Sequence, residues 1–119
     1  MRSLPVSPLA ALALLLLCPQ WAAAHAIVIK SSPATDAVIA GDDVAIRLQF
    51  NSRIDHDRSK LTLFAPDGAQ QALPPAADAS PDALNAEAKH LPPGAWRLRW
   101  QVLSVDGHIT RGDIPFTVR

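Results

Sequence analysis

Apolar and polar side chains alternate along several short stretches of the chain. Residues 44–50 (VAIRLQF) and 96–102 (WRLRWQV) place an apolar side chain at every second position, and 114–118 (IPFTV) and 61–64 (LTLF) favour the same period. Because successive side chains of a β-strand point to opposite faces of a sheet, this period predicts half-buried strands. The apolar run at 26–29 (AIVI) predicts a further strand, which we expect to be buried on both faces.

Turn-forming residues separate these stretches. Pro, Gly, Asp and Ser cluster at 31–36, 40–43, 66–68 and 91–95. Residues 74–83 predict a surface loop, whereas 84–90 are ambiguous, since Ala and Glu favour a helix and the place in the series favours a weak strand. Several short strands between turns predict an all-β protein, a small immunoglobulin-like Greek-key β-sandwich of about seven strands. We expect Trp96 and Trp100 to pack in its core.

The first 24 residues have the pattern of a secretory signal peptide. Arg2 is their one charge, an apolar block runs over 9–18, and an Ala-x-Ala site ends at Ala24. This pattern predicts cleavage after Ala24, which divides the chain into a signal peptide (1–24) and one domain (25–119). A membrane-spanning helix is the alternative. It is disfavoured because the block is shorter than the roughly 20 apolar residues of a span and Pro19 follows at once.

Composition narrows the chemistry available to the exported domain. Cys18 and Met1 are the one Cys and the one Met of the sequence, and both leave with the leader. The domain therefore has no disulfide and no sulfur ligand, so a metal has to be bound by nitrogen and oxygen. Without Arg2, the 11 basic and 11 acidic side chains of the sequence leave a net charge of −1 with His neutral. That charge predicts no nucleic-acid partner, and we expect no membrane insertion after processing.

Cleavage after Ala24 would make His25 the first residue of the mature protein. A terminal histidine carries an α-amine beside its imidazole, with ordinary pKa values of about 7.7–8.0 and about 6.5. Both nitrogens can release a proton to a metal near neutral pH, so together they form a bidentate chelator that an internal histidine cannot provide. The alternative is that His25 only marks where cleavage falls.

The segment 104–113 (SVDGHITRGD) lies between two strong predicted strands. Asp106 and His108 are two residues apart, so in extended chain their side chains project to the same side. Gly107 lets the backbone bend without steric hindrance. A carboxylate and an imidazole could therefore converge on one ion. The alternative is an ordinary Asp-Gly hairpin turn with an exposed histidine.

Strand pairing is expected to bring the two candidates together. If the first strand starts at His25 and pairs antiparallel with 44–50, the loop 51–60 lies near His25. In this class of sandwich the loop between the last two strands lies at the same end, so His25, Asp106 and His108 should gather at one rim. Three nitrogens and one carboxylate suit tetragonal Cu(II), which also leads the divalent affinity order. Zinc, which favours tetrahedral geometry, is the competitor.

The whole stretch from His25 onward resembles the CopC family of small exported copper-binding proteins. The resemblance rests on HAIVIKSSPA at the mature start and on WQVLSVDGH and IPFTV near the end. It implies a periplasmic, cupredoxin-like or immunoglobulin-like β-sandwich with one Cu(II) ion held by His25 (amine and ring), Asp106 and His108. It also implies partners such as a CopD-type inner-membrane copper protein or other exported copper-resistance proteins.

The chain departs from the family pattern in two places. Some members have an acidic residue two positions after the end of the second strand, where this chain has Ser52. Asp55 and Asp57 are not expected to replace it, and we expect His56 to be a solvated loop histidine and His90 to be structural or exposed. The methionine-rich Cu(I) loop of some members is missing, so the chain is expected to bind Cu(II) only.

Three classes of function compete. A copper carrier or buffer without catalysis is expected, because protein groups would fill the coordination plane. The alternative is a histidine-brace copper oxidative enzyme, as in lytic polysaccharide monooxygenases. Against it stand the small domain, the absence of Tyr and the place of Asp106 where O2 would bind. The third class is a metal-free exported interaction module.

Overall fold

The structure, a computed structural model, describes residues 25–119, so the predicted signal peptide lies outside the described residues. This part of the chain forms β1 (Val28–Ser32), β2 (Ala37–Ile39), β3 (Val44–Phe50), β4 (Ile54–Phe64), β5 (Gln70–Leu73), β6 (Ala83–Ala88), β7 (Gly94–Ser104) and β8 (Ile109–Val118). Among the same residues, no helix is long and apolar enough to cross a membrane.

The strands form two sheets that enclose the core. One sheet has the order β1-β3-β6 and the other the order β2-β8-β7-β4-β5. Neighbouring strands are antiparallel, apart from β2, which runs parallel to β8. The predicted all-β sandwich is confirmed.

The alternating stretches supply the core as predicted. Burial alternates along all seven residues of β3, and β7 buries Trp96, Leu98, Trp100 and Val102. The rings of Phe50 and Trp100 meet edge to face with centroids 5.4 Å apart. Each such side chain contributes about 1.5–3 kcal/mol when fully buried, so these contacts hold the two sheets together.

The first strand is an edge strand, and the prediction that 26–29 is buried on both faces is wrong. β1 begins at Val28 and ends at Ser32, and Ile27 and Ile29 are 57% and 60% exposed. The reason is that β1 lies at the margin of its sheet, beside β3, where alternate side chains face solvent.

The loop predicted at 51–60 is mostly strand. The register between β4 and β7 shifts between Asp55 and Lys60, which is typical of a β-bulge. Asp55 Oδ1 accepts a hydrogen bond from the Asp57 amide at 3.0 Å, and Ser59 Oγ donates to the Asp55 carbonyl at 2.6 Å. These local hydrogen bonds stabilise the bulge, so the strand continues across a polar stretch that has no alternation of apolar side chains.

The structure adds strands β2, β5 and β6 to those that the sequence predicts with clear alternation. Most of the ambiguous segment 84–90 belongs to β6, which pairs with β3 and buries Leu84, Ala86 and Ala88. The strands β2 and β5 were not predicted, because three or four residues are too few to display a period. The segment 74–82 between β5 and β6 is a connection, as expected.

Candidate metal centre

The segment before β1 fixes the position of His25. Ala26 is completely buried. The Ile27 amide donates to Asn51 Oδ1 at 2.8 Å, and the Asn51 amide donates to the Ile27 carbonyl at 3.0 Å. These contacts place His25, which is exposed, at the end of the sandwich where β3 ends.

The connection between β7 and β8 is a tight turn closed by its own backbone. The Ser104 amide donates to the His108 carbonyl at 2.8 Å, and the Gly107 amide donates to the Ser104 carbonyl at 2.9 Å. Gly107 has a φ of 93°, a left-handed conformation that glycine adopts without a Cβ clash. The turn thus brings Asp106 and His108 side by side.

Asp106 is the centre of a small polar network in this turn. Its Oδ1 lies 3.2 Å from His108 Nδ1 and 3.4 Å from the His108 amide nitrogen. The buried Ser104 hydroxyl donates to the same oxygen. The bond from Ser104 first, and then that from His108, hold the pKa of Asp106 below its ordinary value. The carboxylate therefore stays ionised, which is the form that binds a metal.

His25 and His108 are in direct contact. Their rings lie edge to face, with centroids 4.9 Å apart and an interplanar angle of 72°. The structure thus brings His25, His108 and Asp106 to one rim, which is the juxtaposition that strand pairing predicts. Their role as metal ligands stays a prediction.

The three side chains do not yet point at one common position. Within residues 25–119, the group of His, Asp and Glu side chains whose ligand atoms all lie within 4.8 Å of one another is a different one, Asp42, Asp43 and His90. His25 and His108 are both exposed, and exposed side chains change rotamer in picoseconds to nanoseconds. Both rings can therefore reorient, and His108 Nδ1 already lies 3.2 Å from Asp106 Oδ1.

The Asp42–Asp43–His90 group lies at the opposite end of the sandwich. Asp42 and Asp43 precede β3, and His90 follows β6, its antiparallel neighbour. The His90 amide donates to Asp43 Oδ1 at 3.1 Å, so the group joins two turns. All three residues are exposed, and the expectation that His90 is structural or exposed is confirmed.

His56 is not the solvated loop histidine that the sequence predicts. It lies in the bulged part of β4 and is half-buried. Its Nε2 lies 2.7 Å from the Ala83 carbonyl oxygen. Since the carbonyl can only accept, Nε2 donates, and the ring ties β4 to the start of β6. Asp55, its neighbour, accepts hydrogen bonds within the bulge.

Three polar residues around the rim have contacts that the sequence does not predict. Ser104 holds Asp106, Asn51 holds Ile27, and Thr110 Oγ1 donates to the Ala26 carbonyl at 2.8 Å. Only Ser104 carries a local signal, because it stands two residues before Asp106. The partners of Asn51 and Thr110 are 24 and 84 residues away, and no local pattern reveals contacts over such separations.

The fold and its rim are those of a small β-sandwich with imidazole and carboxylate donors at one end. Comparison with known proteins gives the family. A family profile described as "CopC domain" matches residues 28–119, and the chain belongs to the CopC family of copper-resistance and copper-transport proteins.

Three relatives support this membership, and two of them have copper-related names. Copper resistance protein C of Xanthomonas campestris pv. juglandis is 31% identical over 104 residues, with 81% of each chain covered. Protein YobA of Escherichia coli (strain K12) is 31% identical over 99 residues, covering 81% of this chain and 80% of YobA. Copper transport protein CutJ of Bacillus subtilis (strain 168) is 23% identical over 113 residues, which are 87% of this chain but only 20% of CutJ. The chain thus spans about a fifth of that relative.

Solved structures agree with the sequence comparison. CopC from Methylosinus trichosporium OB3b superposes with a TM-score of 0.71 at 26% identity, over 79% of this chain and 93% of that one. PcoC, a methionine-rich copper resistance protein from Escherichia coli, gives a TM-score of 0.64 at 27% identity, over 81% of this chain and 100% of PcoC. This chain differs from PcoC in having no methionine after Met1.

Proposed function

We propose that residues 25–119 form an exported Cu(II)-binding protein that carries or buffers copper without catalysing a reaction. The contact between His25 and His108, 4.9 Å between ring centroids, is the observation that carries this proposal. Copper as the metal is supported by membership of the CopC family.

The donor set suits the divalent ion. His25 supplies its ring and, once the leader is removed after Ala24, its α-amine. His108 supplies a second ring and Asp106 a carboxylate oxygen. Three nitrogens and one oxygen favour tetragonal Cu(II). Residues 25–119 have no Cys and no Met, the soft ligands that Cu(I) prefers.

The polar network of the turn supports an exchange of protons for copper at the proposed site. The contact between His108 Nδ1 and Asp106 Oδ1 keeps two donors close through a shared proton or hydrogen bond. Copper replaces this contact and takes both groups as ligands. Ligands must be deprotonated to bind a metal, so protons compete with copper for these groups and affinity falls as the pH falls.

Export would place this chemistry in the periplasm. A carrier there exchanges Cu(II) with a partner, such as a CopD-type inner-membrane copper protein or another exported copper-resistance protein. The similarity to part of the longer copper transport protein CutJ supports a role in transport.

A Cu(II) titration of the mature chain tests the proposal. We expect one tightly bound Cu(II) per chain in competition with a chelator. The electron paramagnetic resonance (EPR) spectrum should be tetragonal, with hyperfine coupling to three nitrogens. With ascorbate and O2, the copper form should release no more peroxide than copper-free protein. Weak binding without a defined spectrum would contradict copper carriage, and copper-dependent peroxide release would contradict the non-catalytic role.

A further inference from the structure

We propose that Thr110 and Asn51 are positioning residues that anchor the segment before β1, so that His25 is held at the rim before copper arrives. This inference rests on the proposed function, because it concerns how the same site is prepared for its ion. It assigns a role to two residues that are not themselves ligands.

The first anchor comes from the five-stranded sheet. Thr110 Oγ1 donates to the Ala26 carbonyl at 2.8 Å, one residue away from His25. Thr110 also stands two residues after His108, so in extended chain both side chains project to the same side. The turn before β8 and the start of that strand therefore make two contacts with this segment: His108 meets the His25 ring, and Thr110 holds the backbone of the next residue.

The second anchor comes from the end of the three-stranded sheet. Asn51 directly follows β3 and bonds Ile27 twice. Its Oδ1 accepts from the Ile27 amide at 2.8 Å, and its amide donates to the Ile27 carbonyl at 3.0 Å. Ala26 and Ile27 are thus bonded to both sheets of the sandwich.

Burial of Ala26 completes the anchoring. Its exposed fraction is 0%, so the residue next to His25 is part of the core, although it precedes the first strand. A terminal segment with such contacts stays in place, whereas a free terminus would have to be ordered when copper binds. An anchored chelator avoids this loss of affinity, since apparent affinity scales with the fraction of molecules that are already competent to bind.

Conservative variants of Thr110 test the anchoring in the mature chain. Thr110→Val keeps the shape and removes the hydroxyl, Thr110→Ser restores a hydroxyl, and Thr117→Val makes the same change at the far end of β8. The metal-free readout is amide hydrogen exchange at Ile27. The second readouts are Cu(II) affinity by chelator competition and the EPR spectrum at saturation.

We expect Thr110→Val to speed exchange at Ile27 and to weaken Cu(II) binding, each by about 3- to 10-fold, the range for one lost hydrogen bond. The saturated EPR spectrum should not change, because the ligands remain. Thr110→Ser and Thr117→Val should match the wild type. Asn51→Ala should also speed exchange at Ile27 and weaken Cu(II) binding. It tests the second anchor independently, in case Thr110→Val fails to fold.

Two results would overturn the inference. One is an unchanged exchange rate and unchanged affinity in both Thr110→Val and Asn51→Ala. The other is loss of a nitrogen coupling in the saturated Thr110→Val spectrum, which would show an effect on the ligand set itself. Failure of the wild type to bind Cu(II) would instead refute the proposed function, while exchange at Ile27 would still decide whether the segment is anchored.

Discussion

The imidazole rings of His25 and His108 meet edge to face, with centroids 4.9 Å apart. One ring precedes the first strand and the other belongs to the last turn, so the contact joins the two ends of the domain. Asp106 lies 3.2 Å from the second ring. No local segment contains all three groups, and the rim therefore exists only in the folded chain.

Replacement of His108 should damage copper binding far more than replacement of a histidine away from the rim. We expect His108→Ala to weaken Cu(II) binding by more than about 100-fold, beyond the 10–100-fold typical of residues that only support a ligand. Chelator competition measures the affinity. His90→Asn is the matched control, because His90 lies at the opposite end and Asn tolerates its φ of 59°. Equal losses in the two variants would contradict the assignment of His108.

The Ser104 hydroxyl should control the protonation of Asp106. Its hydrogen bond is the largest cause of the lowered pKa, so Ser104→Ala should move the pKa of Asp106 up towards the ordinary value. Carbon-detected NMR titration of the Asp side chains measures this directly. Asp113 in the same spectra is the internal control. A pKa of Asp106 that stays the same in the variant would show that Ser104 does not act on the carboxylate.

Asp113 should contribute to stability at neutral pH but not in acid. Arg99 first, with Arg97, lowers the pKa of Asp113, through contacts of 2.9 Å from each arginine. A lowered pKa in the folded state stabilises the fold above the ordinary pKa, and this stabilisation is lost as the pH falls through the folded value. Because the carboxylate is about a third exposed, Asp113→Asn should lower the free energy of unfolding by no more than about 1 kcal/mol.

Urea unfolding at neutral pH and at about pH 2, below the ordinary Asp pKa, measures the effect of Asp113→Asn. The difference from the wild type should shrink in acid. Asp78→Asn, at an exposed position, is the control and should change little at either pH. A difference for Asp113→Asn that is the same at both pH values would contradict the ion-pair explanation.

The Trp100 side chain should leave no room for any residue but glycine at position 112. A Cβ at position 112 would lie 2.6 Å from Trp100 Cζ2, so Gly112→Ala should lower the free energy of unfolding by about 1–3 kcal/mol. Trp100→Phe removes the atoms that clash. In a double-mutant cycle, the double variant should lose less stability than the two single variants together. Strict additivity would contradict the steric explanation.

The strong strands and the Asp106–Gly107–His108 turn could be predicted from sequence because both have local signatures. The alternation in β3 and β7 survives in the structure, and Asp106–Gly107–His108 forms a turn at the predicted place. Other features depend on contacts between distant residues or on strand position, which the alternation of apolar and polar residues does not reveal. The exposure of Ile29 follows from the edge position of β1, and the bulge in β4 follows from bonds around Asp55.

The anchors of the N-terminal segment illustrate the same limit. Thr110 and Asn51 are ordinary polar residues in the sequence, and their contacts with Ala26 and Ile27 arise only when both sheets have assembled. His56 is a related case, since its bond to the Ala83 carbonyl spans 27 residues. Local patterns therefore point to candidate ligands, but they do not reveal which residues hold those candidates in place.

A free α-amine on His25 completes the proposed chelator, and two forms of the chain that differ only at this terminus test its contribution. Cu(II) affinity and EPR spectra are measured for a chain that begins at His25 and for one that retains Ala24. We expect the extra residue to weaken binding by at least about tenfold, a change of about 1.4 kcal/mol. It should also remove one nitrogen coupling and leave hydrogen exchange in the core unchanged. Equal affinity and identical spectra in the two forms would contradict this role of the amine.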